Sequence, residues 1–338
     1  MTTDAVEDIS LQDKALRPLT LDTFAGQPVI VEQLEIFLQA AKGRGETLDH
    51  VLLFGPPGLG KTTLANIIAN EMEGPFTSTS GPLLQNPTEL APLLASLEPG
   101  AILFIDEIHR IPIQVEEILY AAMEDFMLDV MVGDVEKRTI RVELSPFTLV
   151  GATTRAGNLS APLRDRFGIT QKLEFYNLTD LTTVVYNAAE KLEMTLSRQS
   201  AELIAKRSRG TPRIALRLLR RVRDVLETKK YAGDSVEHIA EALRLLRIDE
   251  SGLSTQDLNY LRTITTNFSG GPVGLNTLAA ALSEDSGTLE DTIEPYLLQE
   301  GYIQRTPRGR QVTPLAMHAL GLPGSLASEQ PQLTFAMN

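Results

Sequence analysis

The sequence predicts an α/β fold in its first half, a parallel sheet covered by helices, followed by an all-helical domain and a small winged-helix domain. Three observations carry this expectation. Short, wholly apolar runs alternate with helical patterns up to Asn177. Strand signals then cease. Beyond Ser251, helical patterns end in a short basic hairpin.

A chain of 338 residues suggests two or three domains. The divisions expected are a mobile N-terminus over 1–16, a large domain over 17–177, a helical domain over 178–250, a winged helix over 251–320 and a disordered tail over 321–338. The opening MTTDAVEDIS is acidic and polar, unlike a secretory signal or transit peptide. No apolar run approaches the length of a membrane span. Without Cys there is no disulfide framework, thiolate nucleophile or Cys-based zinc site, and four separated His residues make a His-rich metal site improbable. A cytoplasmic protein is expected.

After the polar start, Leu16–Gln27 is non-periodic. Val29–Ala41 then shows helical spacing at Val31, Leu34 and Leu38, ended by the basic, Gly-containing Lys42–Gly45. The first apolar run is Val51–Phe54, followed by a helix over Thr62–Asn70. The second is Ala101–Ile105 and the third Phe147–Val150. Between the last two, Val115, Ile118, Leu119, Ala122 and Phe126 mark a helix face. Leu128, Val130 and Val132 alternate, Gly133-Asp134 turns, and Ile140, Val142 and Leu144 alternate again, which reads as a protruding hairpin. Leu178–Ile248 is helical, with one break at Gly210-Thr211-Pro212. Three helical patterns follow Ser251, one containing Leu258, Leu261 and Ile264, and the third opening on a capping-box-like Thr288-Leu289-Glu290-Asp291. Tyr302–Thr306 and Gln311–Thr313, joined by Pro307-Arg308-Gly309, form a ribbon.

The net charge of −13 argues against nucleic acid as a partner when taken alone. The charge is uneven, however. Eight basic residues run from Lys206 to Arg223 without an acid, and Arg305, Arg308 and Arg310 share an acid-free stretch. The Lys206–Arg223 stretch mixes apolar Ile214, Leu218 and Val222 with its charges, so it reads mostly as a solvated helix face.

Gly55-Pro56-Pro57-Gly58-Leu59-Gly60-Lys61-Thr62 matches the eight-position phosphate-loop pattern, between an apolar strand and a helix. Glycines such as Gly58 and Gly60 let backbone N–H groups cradle phosphates, and the helix start favours their charge. Lys61 should reach the β- and γ-phosphates of ATP, and the Thr62 hydroxyl should ligate Mg²⁺. Asp106-Glu107 ends the second apolar run, with Asp106 lying 45 residues after Lys61. Alone, such a pair more often caps a helix; after a phosphate loop it suggests a metal-holding Asp106 and a Glu107 that polarises the attacking water. His109 reads as structural. A hydroxyl in Thr153-Thr154 would lie near the γ-phosphate, though a strand-end Thr is more often an ordinary turn residue. Arg164, Arg166 and Arg213, each beside a turn, are singly more often surface charges.

Together these residues are similar to the AAA+ ATPases: the Pro-rich loop, the Asp-Glu and Thr strand ends, Arg before Phe-Gly, and Gly-Thr-Pro-Arg in a helical lid. More specifically, Gly151–Arg155, Pro162–Gly168, Gly210–Arg223, Gly270–Leu275, Glu294-Pro295-Tyr296-Leu297 and Arg305–Arg310 resemble the RuvB family, bacterial ATPases that drive branch migration of Holliday junctions in recombination and repair. The resemblance runs from Arg17 to Leu320, and the Arg305–Arg310 motif is its most specific part.

This resemblance implies an AAA+ core, a helical AAA+ lid and a winged helix. It implies that Leu16 and Arg17 lie against the adenine near Tyr176 and Pro212, and that Thr63, Glu124, Asp125 and Phe126 are further nucleotide contacts. It implies that Thr154 helps position water and that Arg213 senses the γ-phosphate. It makes Arg166 an arginine finger for the neighbouring subunit's ATP, with Arg164 second, a role worth about 10³–10⁵ in rate in comparable sites. It further implies a homohexameric ring on duplex and four-way junction DNA, RuvA docked on the 128–144 hairpin, RuvC as resolution partner, and phosphate contacts by Arg305, Arg308 and Arg310. A clamp-loader-like ATPase is the alternative; the winged-helix reading and the Arg-rich ribbon argue against it. A protein-remodelling ATPase should show an aromatic pore loop, which is not evident, and a non-hydrolysing switch conflicts with intact Lys61 and Glu107.

Overall fold

A computed structural model describes residues 15–132, 138–231, 235–248 and 252–322. The expectations for the N-terminus before residue 15, the Gly133-Asp134 turn, the boundary at Ser251 and the tail from residue 323 fall outside the described residues. The chain forms two compact units, Met1–Ala242 and Leu243–Asn338.

The first unit opens with α1 (Pro28–Arg44), three residues longer at its basic end than the periodicity indicates and closed by left-handed Gly45. Strands β1 (Val51–Phe54), β2 (Phe76–Ser80), β3 (Ala101–Asp106), β6 (Phe147–Thr153) and β7 (Ile169–Lys172) form one parallel sheet in the order β2-β3-β6-β1-β7. The apolar runs are its three central strands. Helices α2 (Lys61–Met72), α3 (Pro87–Ala95) and α4 (Ile113–Glu124) cover it. Leu103, Ile105, Phe147 and Leu149 pack with Leu90 and Leu94 of α3 and Val115 and Leu119 of α4. Alternation turns the intervening residues to the other face, where α2 packs on β3 and β6.

Two antiparallel strands, β4 (Met127–Val132) and β5 (Arg138–Glu143), form the hairpin, with Leu128 paired to Val142. A four-residue helix, α5 (Ala161–Arg164), capped by Ser160, precedes β7.

Helices α6 (Leu178–Lys191), α7 (Arg198–Lys206) and α8 (Pro212–Lys229) pack on one another, followed by α9 (Val236–Leu245). The single expected break at Gly210–Pro212 is one of several. Asn177, Ser197 and Thr211 each precede a helix start, and the side chains of Asn177 and Ser197 accept a cap hydrogen bond.

In the second unit, α10 (Thr255–Asn267) starts on a Ser254–Asp257 capping box, and α11 (Leu275–Leu282) follows. The capping box expected at Thr288 is not there. Asp285 accepts from the Gly287 and Thr288 backbones, so the short α12 (Ser286–Thr288) begins earlier and continues through a π-turn, Leu289–Ile293, into α13 (Glu294–Gln299). Asp accepts these N–H groups more readily because it is charged. Strands β8 (Ile303–Thr306) and β9 (Gly309–Val312) make the ribbon, and α14 (Pro314–Ala319) ends the unit. Tyr260, Leu261, Ile264, Leu289, Leu297, Ile303 and Val312 form its core.

Candidate nucleotide and nucleic-acid sites

The sheet order sets β3 and β1 on either side of β6, so their carboxyl ends meet. In register, Phe54 pairs with Thr153 and Ile105 with Gly151. Three chain segments therefore leave the sheet together: the phosphate loop, Asp106-Glu107 and Thr153-Thr154. Ligands bind at this edge in open parallel sheets.

Gly55, Gly58 and Gly60 all have positive φ. At Gly55 a Cβ would stand 2.4 Å from the Leu173 carbonyl oxygen, and at Gly58 it would collide with Thr211 and Arg213. Glycine is thus required both to turn the loop and to let the helical lid approach it. Arg213 N donates to the Gly58 carbonyl at 3.2 Å, which seats the start of α8 directly on the loop.

Lys61 Nζ donates to the Gly55 and Pro56 carbonyls at 2.7 and 2.8 Å. Burial lowers its pKa to about 8, against the opposing pull of Asp106 and aided by the Arg213 charge. A buried cation whose hydrogen bonds, among the described residues, go to two carbonyls, at the start of a helix without acids in its first turn, suits an anion.

Asp106 Oδ1 accepts from Glu107 N at 2.9 Å. Glu107 has φ 48°, and its carboxylate accepts from Arg110 Nη1 at 2.9 Å. Thr154 lies half-buried just past β6, and Thr62 and Thr63 are half-buried at the start of α2. Beside Thr154, buried Thr153 shares a 2.9 Å hydrogen bond with His109 Nδ1, while its carbonyl accepts from Gly55 N at 3.2 Å. His109 is thus a tie between two strand ends. Nothing local in the sequence distinguishes Thr153 from Thr154; the structure separates them by ending β6 at buried Thr153 and leaving Thr154 half-buried just beyond it.

A cavity of about 610 Å³ adjoins the loop, lined among others by Leu16, Arg17, Gly60, Thr63, Tyr176 and Pro212. Tyr176 OH donates to the Leu59 carbonyl at 3.2 Å, and burial pushes its pKa above the usual phenol value. Sequence reasoning missed Phe24 and Lys191 on the same wall. Lys191 Nζ, from α6, donates to the Leu16 and Arg17 carbonyls at 3.4 and 3.1 Å, fixing that segment against the lid. A lysine at a helix end carries no local mark of this.

Arg166 and Phe126 lie apart from this cavity and instead line one of about 490 Å³ that includes His50 and Met123. Arg166 pairs with Glu124 of α4 at 3.1 Å. Within one chain, then, Arg166, Glu124 and Phe126 form a second cluster, with Asp125 between the latter two in sequence; Arg164 is exposed two residues away.

In the second unit, Glu294 is 0% exposed and gathers the ribbon's arginines. Arg310 Nε donates to Oε1 at 2.8 Å, Arg305 Nη2 to Oε2 at 2.6 Å, and Tyr260 OH to Oε1 at 2.8 Å. Burial alone would raise the Glu294 pKa; the hydrogen bonds from Arg310, Tyr260 and Arg305 reverse this and hold it low. Side-chain exposure is 15% at Arg310 and 46% at Arg305. Arg308 sits exposed at the turn. The three arginines therefore differ: Arg310 is committed inward, Arg305 is shared, and Arg308 faces solvent.

Among the described residues there is no cluster of three or more His, Cys, Asp or Glu suited to a metal, and no helix long and apolar enough to cross a membrane.

Three family models tile the chain: the Holliday junction DNA helicase RuvB P-loop domain over 16–173, the RuvB AAA lid domain over 176–249 and the RuvB C-terminal winged helix domain over 250–321. Among solved structures, RuvB of Thermotoga maritima, described as a Holliday junction branch migration motor, is 49% identical with a TM-score of 0.84 and aligns over 91% of this chain and 99% of its own. Two point variants of the same Thermotoga protein match at 49% and 50% identity, each with a TM-score of 0.85, over 90% and 91% of this chain and 99% and 98% of theirs.

Proposed function

The chain belongs to the RuvB family, and on that premise we propose that it is an ATP-driven motor for branch migration of Holliday junctions. The reaction is ATP and water to ADP and phosphate. The observation that carries the reading is the meeting of the phosphate loop, Asp106-Glu107 and Thr153-Thr154 at one sheet edge, with lid residue Arg213 bonded to Gly58.

Lys61 exchanges its loop carbonyls for β- and γ-phosphate oxygens, which restores the solvation that burial removes. Thr62 and Asp106 would hold a Mg²⁺ ion, which would supply charge to offset that developing on the phosphates. Glu107 orients the attacking water, helped by Thr154, and Arg213 carries the nucleotide state into the lid. Leu16, Arg17, Tyr176 and Pro212 hold the base, with Gly58, Gly60 and Thr63 beside the phosphates. Arg166 acts on the ATP of a neighbouring subunit, which accounts for its distance from its own phosphate loop, and Glu124, Asp125 and Phe126 complete that interface.

The assembly is a homohexamer around duplex DNA in the cytoplasm, with RuvA on the 128–144 hairpin and RuvC as resolution partner; the 50% exposure of apolar Ile140 supports a docking role for the hairpin. The winged helix, Arg308 foremost and Arg305 next, meets DNA phosphates, which suits a motor indifferent to sequence. The three-part division at 17–177, 178–250 and 251–320 serves these roles in turn.

Dissociation of a synthetic four-way junction with ATP, Mg²⁺ and RuvA tests the reading. Loss of dissociation in Glu107→Gln, with nucleotide binding kept, is expected. Hydrolysis stimulated by DNA without junction movement would instead favour a clamp-loader-like ATPase.

A further inference from the structure

The surroundings of Arg166 carry one step more. The guanidinium Cζ lies 4.4 Å from the centroid of the Tyr120 ring. Nη1 donates to the Pro162 carbonyl at 2.8 Å and Nη2 to Glu124 at 3.1 Å. Its Nε is buried and finds no hydrogen-bond partner among the described residues. Hydrogen bonds therefore hold only one end of the guanidinium, and the aromatic face fixes its plane.

The ring is itself fixed. Tyr120 OH donates to Glu116 Oε2 at 2.9 Å and lies 3.0 Å from Ser160 Oγ, which donates to the same carboxylate oxygen at 2.5 Å. Glu116 is buried. A buried carboxylate between two hydroxyls locks both. Ser160 also caps α5, accepting from Leu163 N at 3.3 Å, and α5 leads directly to Arg166. One small cluster thus sets both the helix that delivers the arginine and the surface on which it lies. Glu124, one turn beyond Tyr120 on α4, is 57% exposed at its side chain, so its ion pair is solvent-screened and exchangeable for a phosphate. The ring contact need not break when that exchange occurs.

We propose that Tyr120, anchored by Glu116 and Ser160, is the positioning residue that aims the Arg166 guanidinium at the nucleotide of the adjacent subunit. The proposal rests on the reading of Arg166 as acting between subunits. Misplacing a reacting group by about 1 Å costs up to about 100-fold in rate, and losing the ring leaves the carbonyl and carboxylate contacts, so a smaller loss is expected.

The test is steady-state ATP hydrolysis by the full chain on duplex DNA. Tyr120→Phe keeps the ring but releases it from Glu116 and Ser160 and should lose about two- to threefold in kcat, whereas Tyr120→Leu should lose about tenfold in kcat with its ATP KM within about twofold. Tyr120→Leu is then mixed with Lys61→Ala, which has a disabled loop and an intact arginine. Activity above the mean of the two separate proteins is expected, because the Lys61→Ala subunit lends its arginine to the neighbour's intact site. Arg166→Ala mixed with Lys61→Ala is the reference. Recovery with Arg166→Ala but none with Tyr120→Leu overturns the proposal and leaves the intersubunit reading intact. No recovery in either mixture overturns both. A Tyr120→Phe loss equal to that of Tyr120→Leu would place the role in the hydroxyl and also overturn it.

Discussion

His50 shows what one buried side chain can hold. Its Nδ1 accepts from Leu149 N at 2.9 Å, so the ring proton lies on Nε2, which donates to the Met123 carbonyl at 3.0 Å. The neutral ring thereby joins β6 to the end of α4, from which Glu124 meets Arg166. Burial lowers its pKa below 6.5, against weaker opposing effects from the Met123 carbonyl and Asp49. A base with a depressed folded pKa binds its proton first in the unfolded chain. Its contribution is therefore present above about pH 6.5 and is lost as pH falls below that value. Urea midpoints at pH 7.5, 6.5 and 5.5 should fall with acidity in the parent and fall less in His50→Gln, which should also cost about 1–3 kcal/mol at pH 7.5. Equal pH slopes in the two proteins would remove His50 from the account. The histidine's structural role was hidden in the sequence, because both partners lie far downstream, about seventy and about a hundred residues further along the chain.

At the scale of elements, the ribbon β8–β9 separates stability from binding. Arg310→Ala deprives buried Glu294 of one of its two cations and should cost about 3 kcal/mol of the second unit's stability. Arg308→Ala removes an exposed charge and should change stability by less than about 0.5 kcal/mol. It should instead lower the slope of log affinity against log salt for duplex DNA by about 1 per engaged winged helix. Filter binding across a salt series, beside thermal melts, distinguishes the two; a salt slope unchanged in Arg308→Ala would take the turn out of the DNA interface. The same scale shows why some elements could be read and others could not. Central strands β1, β3 and β6 are covered on both faces, so they are continuous apolar runs. The edge strands β2, with sequence FTSTS, and β7, with ITQK, are half-covered and polar, and neither announced itself. The cap at Asp285 was missed in favour of Thr288 because both precede acidic, apolar-periodic sequence, and only the backbone settles where the first turn closes.

Over the whole molecule, a net charge of −13 coexists with a cationic turn on a unit of its own, so the net figure says little about any one face. The cavity beside the phosphate loop is walled by core and lid together, through Leu16 and Gly60 on one side and Tyr176, Lys191 and Pro212 on the other. Nucleotide should therefore stabilise the first unit as one body. At a hundredfold excess over Kd this amounts to about 2.7 kcal/mol. Calorimetry of the full chain should show the transition of the first unit rising with a non-hydrolysable ATP analogue while that of the second stays in place; a shift confined to the second, or none, would contradict the site.

The sequence by itself determined the α/β class, the phosphate loop, the Asp106-Glu107 strand end, the helical run after Asn177 and the arginine-bearing ribbon. Each is written in a few consecutive residues or in one periodicity, and local backbone geometry enforces it. Only the tertiary structure decided that Thr153 ties three strand ends, that Lys191 pins Leu16 and Arg17, that Tyr120 lies beneath Arg166, and that Arg310 turns inward while Arg308 does not. Those facts depend on contacts between segments far apart in the chain. Burial and alternation choose among chemically equivalent side chains there, and no local pattern records the choice.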